Sequence, residues 1–465
     1  YMEGAKKHGV YGSKPLSYYH GTNRFYDLWA STAAKDKELF HEFCRFVIGN
    51  PLRQQPAASG KPAAEQGYRT TGIQDLALIY QGGSHRLDWT VDEFRPYVVH
   101  RFADGSKDWL FDGFLFLEFK DGSGRNYTVG YEKLNARRTE WEWLLDRIFE
   151  QGKSLSALDR CIGQEIKELG KPAFRHQIVL GLPEAIRGQK DWGEIDGREM
   201  DFSKEEDQIA ATKWYIGELV ERFKAAKFKH LELSGFYWVA EDTHHCAELT
   251  IPLSEYIHSE GKLFYWIPYW QAKGHEEWKR LGFDVAYQQP NHFFNHSIPD
   301  SRLDEACATA RRHGMAMEFE FDEKATAAIP NSSHDRMAAY INHFEKNDVF
   351  NSSAVAYYCG NRGVLTLDES DNPKDKALMD RLARIIQARR YLKYGIPMKN
   401  KTRVVAHRGF WHTDGSAQNS IASLLKADQL GVYGVEFDVW MASDGVPVLN
   451  HDSWHDGYEV QSTPS

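Results

Sequence analysis

The amino-acid sequence predicts an α/β protein: a complete (β/α)8 TIM-type barrel, followed by the first strands of a second, truncated TIM-type barrel. From about residue 73, eight apolar runs of strand length alternate with longer amphipathic runs. Such repeated alternation is typical of a parallel barrel. Three further short β-type runs follow near the end of the sequence. An open doubly wound sheet is the alternative, but no G-x-G-x-x-G turn follows the first run.

The strands and helices of the first barrel are assigned from their apolar spacing. The predicted strands are Leu76–Tyr80, Leu110–Phe119, His176–Leu182, His230–Val239, Leu263–Pro268, Val285–Gln289, Ala316–Phe321 and Ala354–Tyr358. Helical spacing, with apolar residues at i, i+3, i+4 or i+7, lies between them. Examples are Glu140–Gln151, Glu205–Ala226, Arg302–Arg312, Asp335–Glu345 and Lys376–Tyr391.

Changes of pattern along the chain predict four regions. Residues 1–72 form an N-terminal extension with a linker, and residues 73–393 form the barrel. A short basic segment containing proline, residues 394–402, links the barrel to residues 403–465, which begin the second barrel.

Composition excludes several classes of protein. The net charge of −9 over 465 residues argues against a nucleic-acid groove. The five cysteines are scattered without a C-x-x-C pair, so they indicate neither a zinc site nor a disulfide framework. No apolar run reaches the roughly 20 residues that span a bilayer.

The predicted C-terminal ends of the barrel strands, where a barrel of this type places its active site, are rich in carboxylates and aromatic residues. Glu318 and Glu320 are two residues apart and share one face of a strand, as Glu232 and Trp238 also do by even spacing. Inward glutamates near the rim require a reason, because branched apolar residues normally fill a barrel interior.

Carboxylates from different strands among aromatic residues fit glycoside hydrolysis, in which one carboxyl acts as acid and another as nucleophile or base. We predict Glu241 and Glu320 as this pair, and Trp238, Trp270 and Asn291 as substrate-binding residues. Two alternatives stay open. The glutamates could pair with Arg or Lys, or the barrel could bind a glycan without cleaving it.

Chemically distinctive residues end the three β-type runs near the end of the sequence. His407 and Arg408 follow the first run, and His can move a proton near neutral pH while Arg binds phosphate. Glu436 and Asp438 lie two apart in the second run, so both carboxylates point to one face and suit Ca²⁺ or Mg²⁺. His451 ends the third run.

The ordered motifs HRG, QNS before a helix, E-x-D, DG and HD resemble the glycerophosphodiester phosphodiesterase family. The resemblance implies that His407 and His451 are the general acid and base, that Arg408 binds the phosphate, and that Glu436 and Asp438 bind a divalent cation. It implies a glycerophosphodiester substrate and a metal-dependent hydrolase of lipid metabolism. Gln418 departs from the pattern, because many relatives have Glu there.

The family fold is an eight-stranded barrel with a further metal-binding Glu downstream of the E-x-D pair. This sequence starts at Tyr1 and stops at Ser465, after about three such strands. We therefore expect a fragment, open at both ends, whose second barrel does not close. We expect this fragment to be inactive toward glycerophosphodiesters.

Residues 73–393 also resemble an uncharacterised bacterial family with a glycosidase-like barrel. The motifs are WLFDGFLFLEF, GLPEAI, DWGE, LELSGFYWVAED, WIPYW, AYQQPNHFF and MEFEFD. Because the activity of that family is not established, this resemblance implies the fold and not the reaction.

Overall fold

The computed structural model describes residues 67–243, 246–396, 404–411 and 415–465. The described residues divide into two compact units, one ending at residue 396 and one starting at residue 404. Residues 1–66 of the predicted N-terminal extension, and most of the predicted linker at 394–402, lie outside the described residues.

The first unit is a closed barrel of eight parallel strands, which confirms the predicted fold class. Each strand pairs with its neighbours in chain order, and β1 closes the ring against β8, with Leu76 beside Ala356. The strands are β1 Asp75–Tyr80, β2 Gly113–Leu117, β3 His176–Leu182, β4 Leu231–Trp238, β5 Leu263–Trp266, β6 Val285–Gln288, β7 Ala316–Glu320 and β8 Val355–Tyr358. All eight predicted strands are present.

Helices cover the outside of the barrel strands. The five helices predicted by range each agree with the structure to within three residues at either end. The helices of this unit are α1 Val91–Val98, α2 Arg138–Ile148, α3 Ser154–Leu169, α4 Glu205–Ala226, α5 Ala247–Ser259, α6 Ser301–His313, α7 His334–Lys346, α8 Val349–Ser352, α9 Gly363–Asp368 and α10 Pro373–Tyr394.

Alternating side chains of the strands fill two apolar layers. One layer lies inside the barrel and includes Leu78, Tyr237 and Tyr265, while the other lies between strands and helices. On β7, Met317 and Phe319 join the outer layer, so the alternation turns Glu318 and Glu320 inward.

Strand β4 contains a bulge that corrects one prediction. The pairing of β4 with β3 shifts between Leu233 and Gly235, which inserts Ser234 as an extra residue. A bulge reverses the alternation of side chains beyond it. Glu232 is therefore exposed on one side of the bulge, while Trp238 beyond it is buried in the outer layer, and the two do not share a face.

The second unit is built of short strands and one helix. The strands β9 Val405–His407 and β10 Gly434–Glu436 are parallel, whereas β11 Val439–Met441 pairs antiparallel with β12 Pro447–Leu449, and β13 Trp454–His455 with β14 Tyr458–Glu459. Helix α11, Ile421–Gln429, follows Ser420. The run predicted as one strand, Gly434–Val439, is thus divided between β10 and β11.

Candidate functional site

A cavity of about 380 Å³ opens at the C-terminal ends of the barrel strands. This is the end at which barrels of this type bind their substrates. Carboxyl groups, amides and aromatic rings line the cavity. The lining residues are Leu78, Tyr80, Arg86, Phe119, Lys120, Tyr131, Tyr237, Glu241, Ile267, Gln289, Asn291, Phe294, Glu318, Glu320 and Tyr358.

Glu241 and Glu320, predicted as a pair, both line this cavity. Glu241 follows β4, and its Oε1 accepts a hydrogen bond of 2.7 Å from Nε2 of Gln289, while Tyr131 donates to Oε2 at 3.4 Å. Glu320 ends β7, and its Oε2 accepts hydrogen bonds from the hydroxyl of Tyr340 and the backbone N–H of His292.

Two amide side chains connect these glutamates. Gln289 donates to Glu241 and accepts, at its Oε1, a hydrogen bond of 2.9 Å from Nδ2 of Asn291. The same Nδ2 lies 3.4 Å from Oε1 of Glu320. Asn291 adopts a left-handed backbone (φ +48°), which asparagine tolerates, and its Oδ1 accepts from the backbone N–H of Trp270. Its amide is thereby held between the two carboxyls.

Glu318 is a third carboxyl on the cavity wall, on the same face of β7 as Glu320. Its side chain is buried, with 3% of the residue exposed. Among the residues that the structure describes, none donates a hydrogen bond to it and no cation pairs with it.

Burial shifts the ionisation of all three carboxyls. It raises the pKa of Glu320 to about 7, against the lowering effect of the hydrogen bonds from Tyr340 and His292. It raises the pKa of Glu318 well above the usual range, and the neighbouring Glu320 and Glu241 add to the rise. The pKa of Glu241 is also raised by burial, although its bonds from Gln289 and Tyr131 oppose the shift. The cavity therefore holds protons near neutral pH.

The cations at the edge of the cavity are already paired with other acids. Arg86 makes a two-point contact with the buried Glu118, at 2.8 and 2.9 Å, and stacks over Tyr80. Lys120 lies 3.4 Å from Glu132. Neither Glu118 nor Glu132 lines the cavity. The alternative that inward glutamates pair with Arg or Lys therefore holds for Glu118. No described Arg or Lys pairs with any of the three cavity carboxyls.

Aromatic rings form the upper wall of the cavity. Tyr131 stacks on Phe119 at 4.7 Å between ring centroids, and Phe294 meets Tyr358 edge-on at 5.4 Å. Tyr131 and Phe294 are 42% and 49% exposed. Large exposed rings beside a cavity favour contact with a ligand. Neither ring was predicted from sequence, because both lie on loops outside the strand ends from which the site was predicted.

The predicted tryptophans do not line the cavity. Trp238 is fully buried among outer-layer side chains, with its ring 6.1 Å from that of Phe264, because the bulge in β4 turns it away from the interior. Trp270 lies under the guanidinium of Arg302, which sits 4.7 Å from its ring. Of the three predicted substrate-binding residues, Asn291 lines the cavity, whereas Trp238 and Trp270 do not.

In the second unit, four of the five predicted site residues lie together. The backbone N–H of Arg408 donates to Oε2 of Glu436 at 3.1 Å, and its Nε lies 3.2 Å from Oδ2 of Asp438. Nε2 of His407 is 3.9 Å from Oε2 of Glu436. The HRG turn and the E-x-D pair meet because β9 and β10 are adjacent, with His407 opposite Glu436.

Gly409 and Asn419 hold this cluster in place. Arg408 has φ +61°, and the next residue, Gly409, has φ +80°, where a Cβ would meet Oγ of Ser423 at 2.2 Å. Asn419 exchanges hydrogen bonds with Asp438, of 3.1 Å from Nδ2 and 3.2 Å from the backbone N–H of Asp438. The glycine of HRG and the asparagine of QNS thus have structural roles.

His451 has other described partners than the four residues of this cluster. It follows β12, whose partner is β11, and its Nδ1 lies 2.8 Å from the carboxylate of Asp452. No described contact joins it to His407, Arg408 or the acid pair. The role of His451 as the second acid–base histidine therefore stays a prediction.

The residues present fit a divalent cation only in part. Glu436 and Asp438 supply two carboxylates, but both contact Arg408. Within residues 67–465, apart from the undescribed positions, no group of three or more His, Cys, Asp or Glu could hold a metal ion. The described residues thus do not complete the cation site that the resemblance implies.

Fold and cavity define an α/β-barrel protein with an acidic, aromatic site at the C-terminal end of its strands. Residues 75–384 match the family described as "Domain of unknown function (DUF4855)", and the chain belongs to that family. Residues 407–459 match the glycerophosphoryl diester phosphodiesterase family. Both resemblances found in the sequence are confirmed.

Curated relatives match only the C-terminal segment. "Glycerophosphodiester phosphodiesterase 1" of Rattus norvegicus is 38% identical over 68 residues, which are 15% of this chain and 20% of that protein. The human protein is 38% identical over 55 residues, 12% of this chain and 16% of its own length. The chain therefore spans about a fifth or less of these relatives, and the match indicates kinship with phosphodiesterases for this segment alone.

The solved structures that align with this chain have low sequence identity and low structural similarity to it. A protein of Bacteroides thetaiotaomicron described as an alpha-L-fucosidase aligns with TM-score 0.36 and 13% identity, covering 72% of this chain and 98% of its own. A GH18 chitinase of Pseudoalteromonas aurantia aligns with TM-score 0.34 and 11% identity, covering 66% and 99%. Likenesses this weak indicate nothing about function.

In the described part of the chain, no helix combines the length and apolar character needed to cross a membrane. This agrees with the sequence, in which no long apolar run was found.

Proposed function

We propose that the barrel of residues 73–393 is a glycoside hydrolase, with Glu320 as general acid and Glu241 as nucleophile or base. The observation that supports this proposal is the convergence of both carboxyls on one aromatic-lined cavity, joined through Gln289 and Asn291. The sequence pointed first to the C-terminal segment. We place the barrel first because, among the described residues, it combines a closed sheet with an open cavity lined by carboxyl groups.

The assignment of roles follows from ionisation. Burial raises the pKa of Glu320 to about 7, so this carboxyl keeps its proton in mildly acidic solution and can donate it to the glycosidic oxygen. Burial also raises the pKa of Glu241, but the hydrogen bonds from Gln289 and Tyr131 favour its carboxylate, to which we assign attack on the anomeric carbon or activation of a water molecule. The bond from the anomeric carbon to the leaving oxygen breaks, and the leaving alcohol takes the proton from Glu320.

Single isosteric variants test the catalytic pair. Purified protein is assayed against a panel of glycans for the release of reducing ends, and Glu320→Gln and Glu241→Gln should each lower the rate on the glycan that is cleaved by about 10²- to 10⁴-fold. Glu232→Gln is the matched control, because Glu232 is an exposed glutamate at the other end of β4. Wild-type rates in both cavity variants would contradict the proposal.

A leaving group that needs no protonation separates the two roles. With a nitrophenyl glycoside of the same sugar, Glu320→Gln should recover much of its rate, because nitrophenolate departs without an acid. Glu241→Gln should not recover, because it lacks the attacking or activating carboxylate. The reverse pattern would contradict the assignment of roles.

The rate should also depend on pH in a defined direction. Protonated Glu320 is required as the acid, and its pKa is about 7. Hydrolysis of natural glycan should therefore decline as the pH rises through about 7, while the nitrophenyl substrate should keep its rate. A decline of equal size with both substrates would indicate another titrating group.

We also propose that the C-terminal segment contributes to a phosphodiester hydrolase acting on glycerophosphodiesters, with Ca²⁺ or Mg²⁺ as cofactor. The match of residues 407–459 and the meeting of His407, Arg408, Glu436 and Asp438 support it. Arg408 would bind the phosphate, while His407 and His451 would transfer protons. The bound cation and the role of His451 are parts of this proposal.

The test is hydrolysis of glycerophosphocholine by the full protein encoded by the gene, with either cation and with a chelator. Glycerol phosphate release should require the cation and should fall at least about 10²-fold in His407→Ala. The chain of residues 1–465 is expected to be inactive in the same assay. A full protein that leaves the substrate intact under all these conditions would refute the proposal.

An alternative function of the barrel is glycan binding without cleavage. The exposed rings of Tyr131 and Phe294 at the cavity mouth favour it as strongly as they favour hydrolysis. Binding of a glycan that is unchanged in Glu241→Gln and Glu320→Gln, with no turnover by wild-type protein, would establish it.

A further inference from the structure

The cavity contains more carboxyl groups than glycoside hydrolysis requires. Two carboxyls suffice for the reaction, yet Glu241, Glu318 and Glu320 all line the wall. The groups that donate hydrogen bonds to Glu241 and Glu320 are neutral: amides, tyrosine hydroxyls and a backbone N–H. The two cations in the lining, Arg86 and Lys120, are paired with Glu118 and Glu132.

Glu318 is the group without a function in that reaction. It is nine-tenths or more buried, faces the cavity, and accepts no hydrogen bond from the described residues. Removing most of the water around a carboxyl that has no partner disfavours its charged form, so it stays protonated unless a cation joins it, and this loss of hydration is a cost to the fold. Since a neutral apolar side chain at this position would avoid that cost, the carboxyl indicates a ligand group that pairs with it.

The side chains around Glu318 suit a cation. Tyr80, Tyr237 and Tyr358 line the same cavity, and the electron-rich faces of aromatic rings attract ammonium groups. Tyr237 and Tyr80 are both close enough to Glu318 to sense its charge, which raises the pKa of each phenol beyond the rise caused by burial. A carboxyl among phenol rings is thus an environment for a positively charged group of small size.

We propose, on the basis of the proposed glycosidase function, that the sugar bound in this cavity carries a free amine, and that Glu318 pairs with its ammonium. The substrate class is then a glycan that contains unacetylated amino sugars. An N-acetylated or neutral sugar would leave Glu318 without a counter-charge, and a uronic acid would add a fourth acid to the cavity. Pairing with an ammonium ionises Glu318 and stabilises it as a carboxylate.

Monosaccharide binding tests the proposal without knowledge of the glycosidic linkage. Glucosamine and galactosamine are titrated into the full chain at pH 7 by calorimetry, beside glucose, galactose and N-acetylglucosamine. At least one amino sugar should bind roughly tenfold or more tightly than its neutral and acetylated counterparts, because bonds to charged groups are worth about 1.5–3 kcal/mol. Equal affinities in wild-type protein would overturn the inference.

Glu318→Gln should abolish this preference, so that the amino sugar and its neutral counterpart bind with similar affinity. Glu232→Gln, exposed on β4, is the control and should keep the preference. Retention of the preference in Glu318→Gln would overturn the role of Glu318. A variant that fails to fold leaves the wild-type comparison, which decides the substrate class by itself.

The glycosidase proposal and the amino-sugar inference can be refuted separately. Cleavage of a neutral glycan, with no preference for an amine, would refute the amino-sugar inference and leave the glycosidase proposal intact. If no sugar binds and no glycan in a panel that includes chitosan and galactosamine polymers is cleaved, both are refuted.

Discussion

At the scale of single residues, Glu320 is buried, and its hydrogen bonds compensate only in part for the loss of water. It is 1% exposed and accepts hydrogen bonds from Tyr340 and His292, yet burial still raises its pKa from 4.5 to about 7. Hydrogen bonds to a carboxylate favour ionisation, whereas loss of water opposes it, and here the loss of water is the larger effect. The raised pKa makes Glu320 a proton donor and also lowers the stability of the fold.

This cost predicts a pH-dependent effect of Glu320→Gln on stability. In the unfolded chain the carboxyl loses its proton near 4.5, whereas in the folded chain it keeps it up to about 7. The folded state binds more protons in that window, so its stability falls as the pH rises through it. The variant cannot ionise at position 320, so it does not lose stability in this way. The difference in free energy of unfolding, variant minus wild type, should therefore rise by up to roughly 3 kcal/mol between pH 4 and pH 8.

Denaturant titrations at pH 4, 6 and 8 measure this difference. Glu232→Gln should show no trend with pH, since Glu232 is exposed. A difference between Glu320→Gln and wild type that stays constant from pH 4 to pH 8 would show that Glu320 ionises normally.

At the scale of elements, the bulge in β4 shapes the site. Ser234 is the extra residue, and Gly235 beside it lets β4 approach β5 closely. A Cβ on Gly235 would lie 2.1 Å from the carbonyl oxygen of Leu263 and 2.7 Å from the ring of Tyr265. The bulge then turns Tyr237 into the interior and Trp238 toward the helices.

Gly235→Ala should therefore destabilise the barrel by about 1–3 kcal/mol, because the backbone of β5 must move to accept the methyl group. The matched control is Gly217→Ala in α4, where the nearest atom to the new Cβ is 3.8 Å away. That variant should gain about 0.5–1 kcal/mol from helix propensity. Thermal unfolding of both proteins gives the comparison, and an unaffected Gly235→Ala would mean that β4 and β5 are less closely packed than the structure shows.

The sequence predicted the strands of the barrel well because each is an apolar run separated from the next by a helix. It also placed Glu241, Glu320 and Asn291 at the cavity, because strand ends mark the site in this fold. Trp238 was assigned to the wrong face because a bulge leaves no clear mark in the apolar pattern. Tyr131 and Phe294 escaped prediction because loop positions follow no period.

The C-terminal segment shows the same limits of pattern reading. Spacing within one strand placed Glu436 and Asp438 near Arg408, through the pairing of β9 with β10. His451 follows β12, which pairs antiparallel with β11, and its place beside His407 stays a prediction. Pairing between strands depends on tertiary contacts, which the order of motifs does not determine.

At the scale of the whole barrel, a buried ion pair connects the first strand of the barrel with its last helix. Arg389 on α10 and Asp75 at the start of β1 are each 3% exposed in their side chains, and the atoms Nε and Oδ1 are 3.0 Å apart. Tyr357 of β8 donates to the same carboxylate at 2.8 Å. Arg389 also donates to the backbone carbonyls of Gln74 and Ser353. The first strand, the last strand and the last helix thus meet at one guanidinium.

Arg389→Met should destabilise the barrel by about 3–5 kcal/mol, because it leaves the Asp75 carboxylate buried without its cation. The control is Arg381→Met in the same helix, where Arg381 pairs with Glu345 at 41% and 45% exposure. That loss should be within about 1 kcal/mol. Similar stabilities of the two variants in urea titrations would show that ring closure does not depend on the buried pair.

The central claim is that the carboxyl-lined cavity of the barrel binds and cleaves a glycan between Glu241 and Glu320. The most direct measurement is a crystal structure of the Glu320→Gln variant soaked with an oligosaccharide of the glycan that wild-type protein cleaves. We predict a sugar ring in the cavity, with its glycosidic oxygen at residue 320 and its anomeric carbon near Glu241. Sugar density elsewhere on the barrel, with the cavity free of it, would contradict the account.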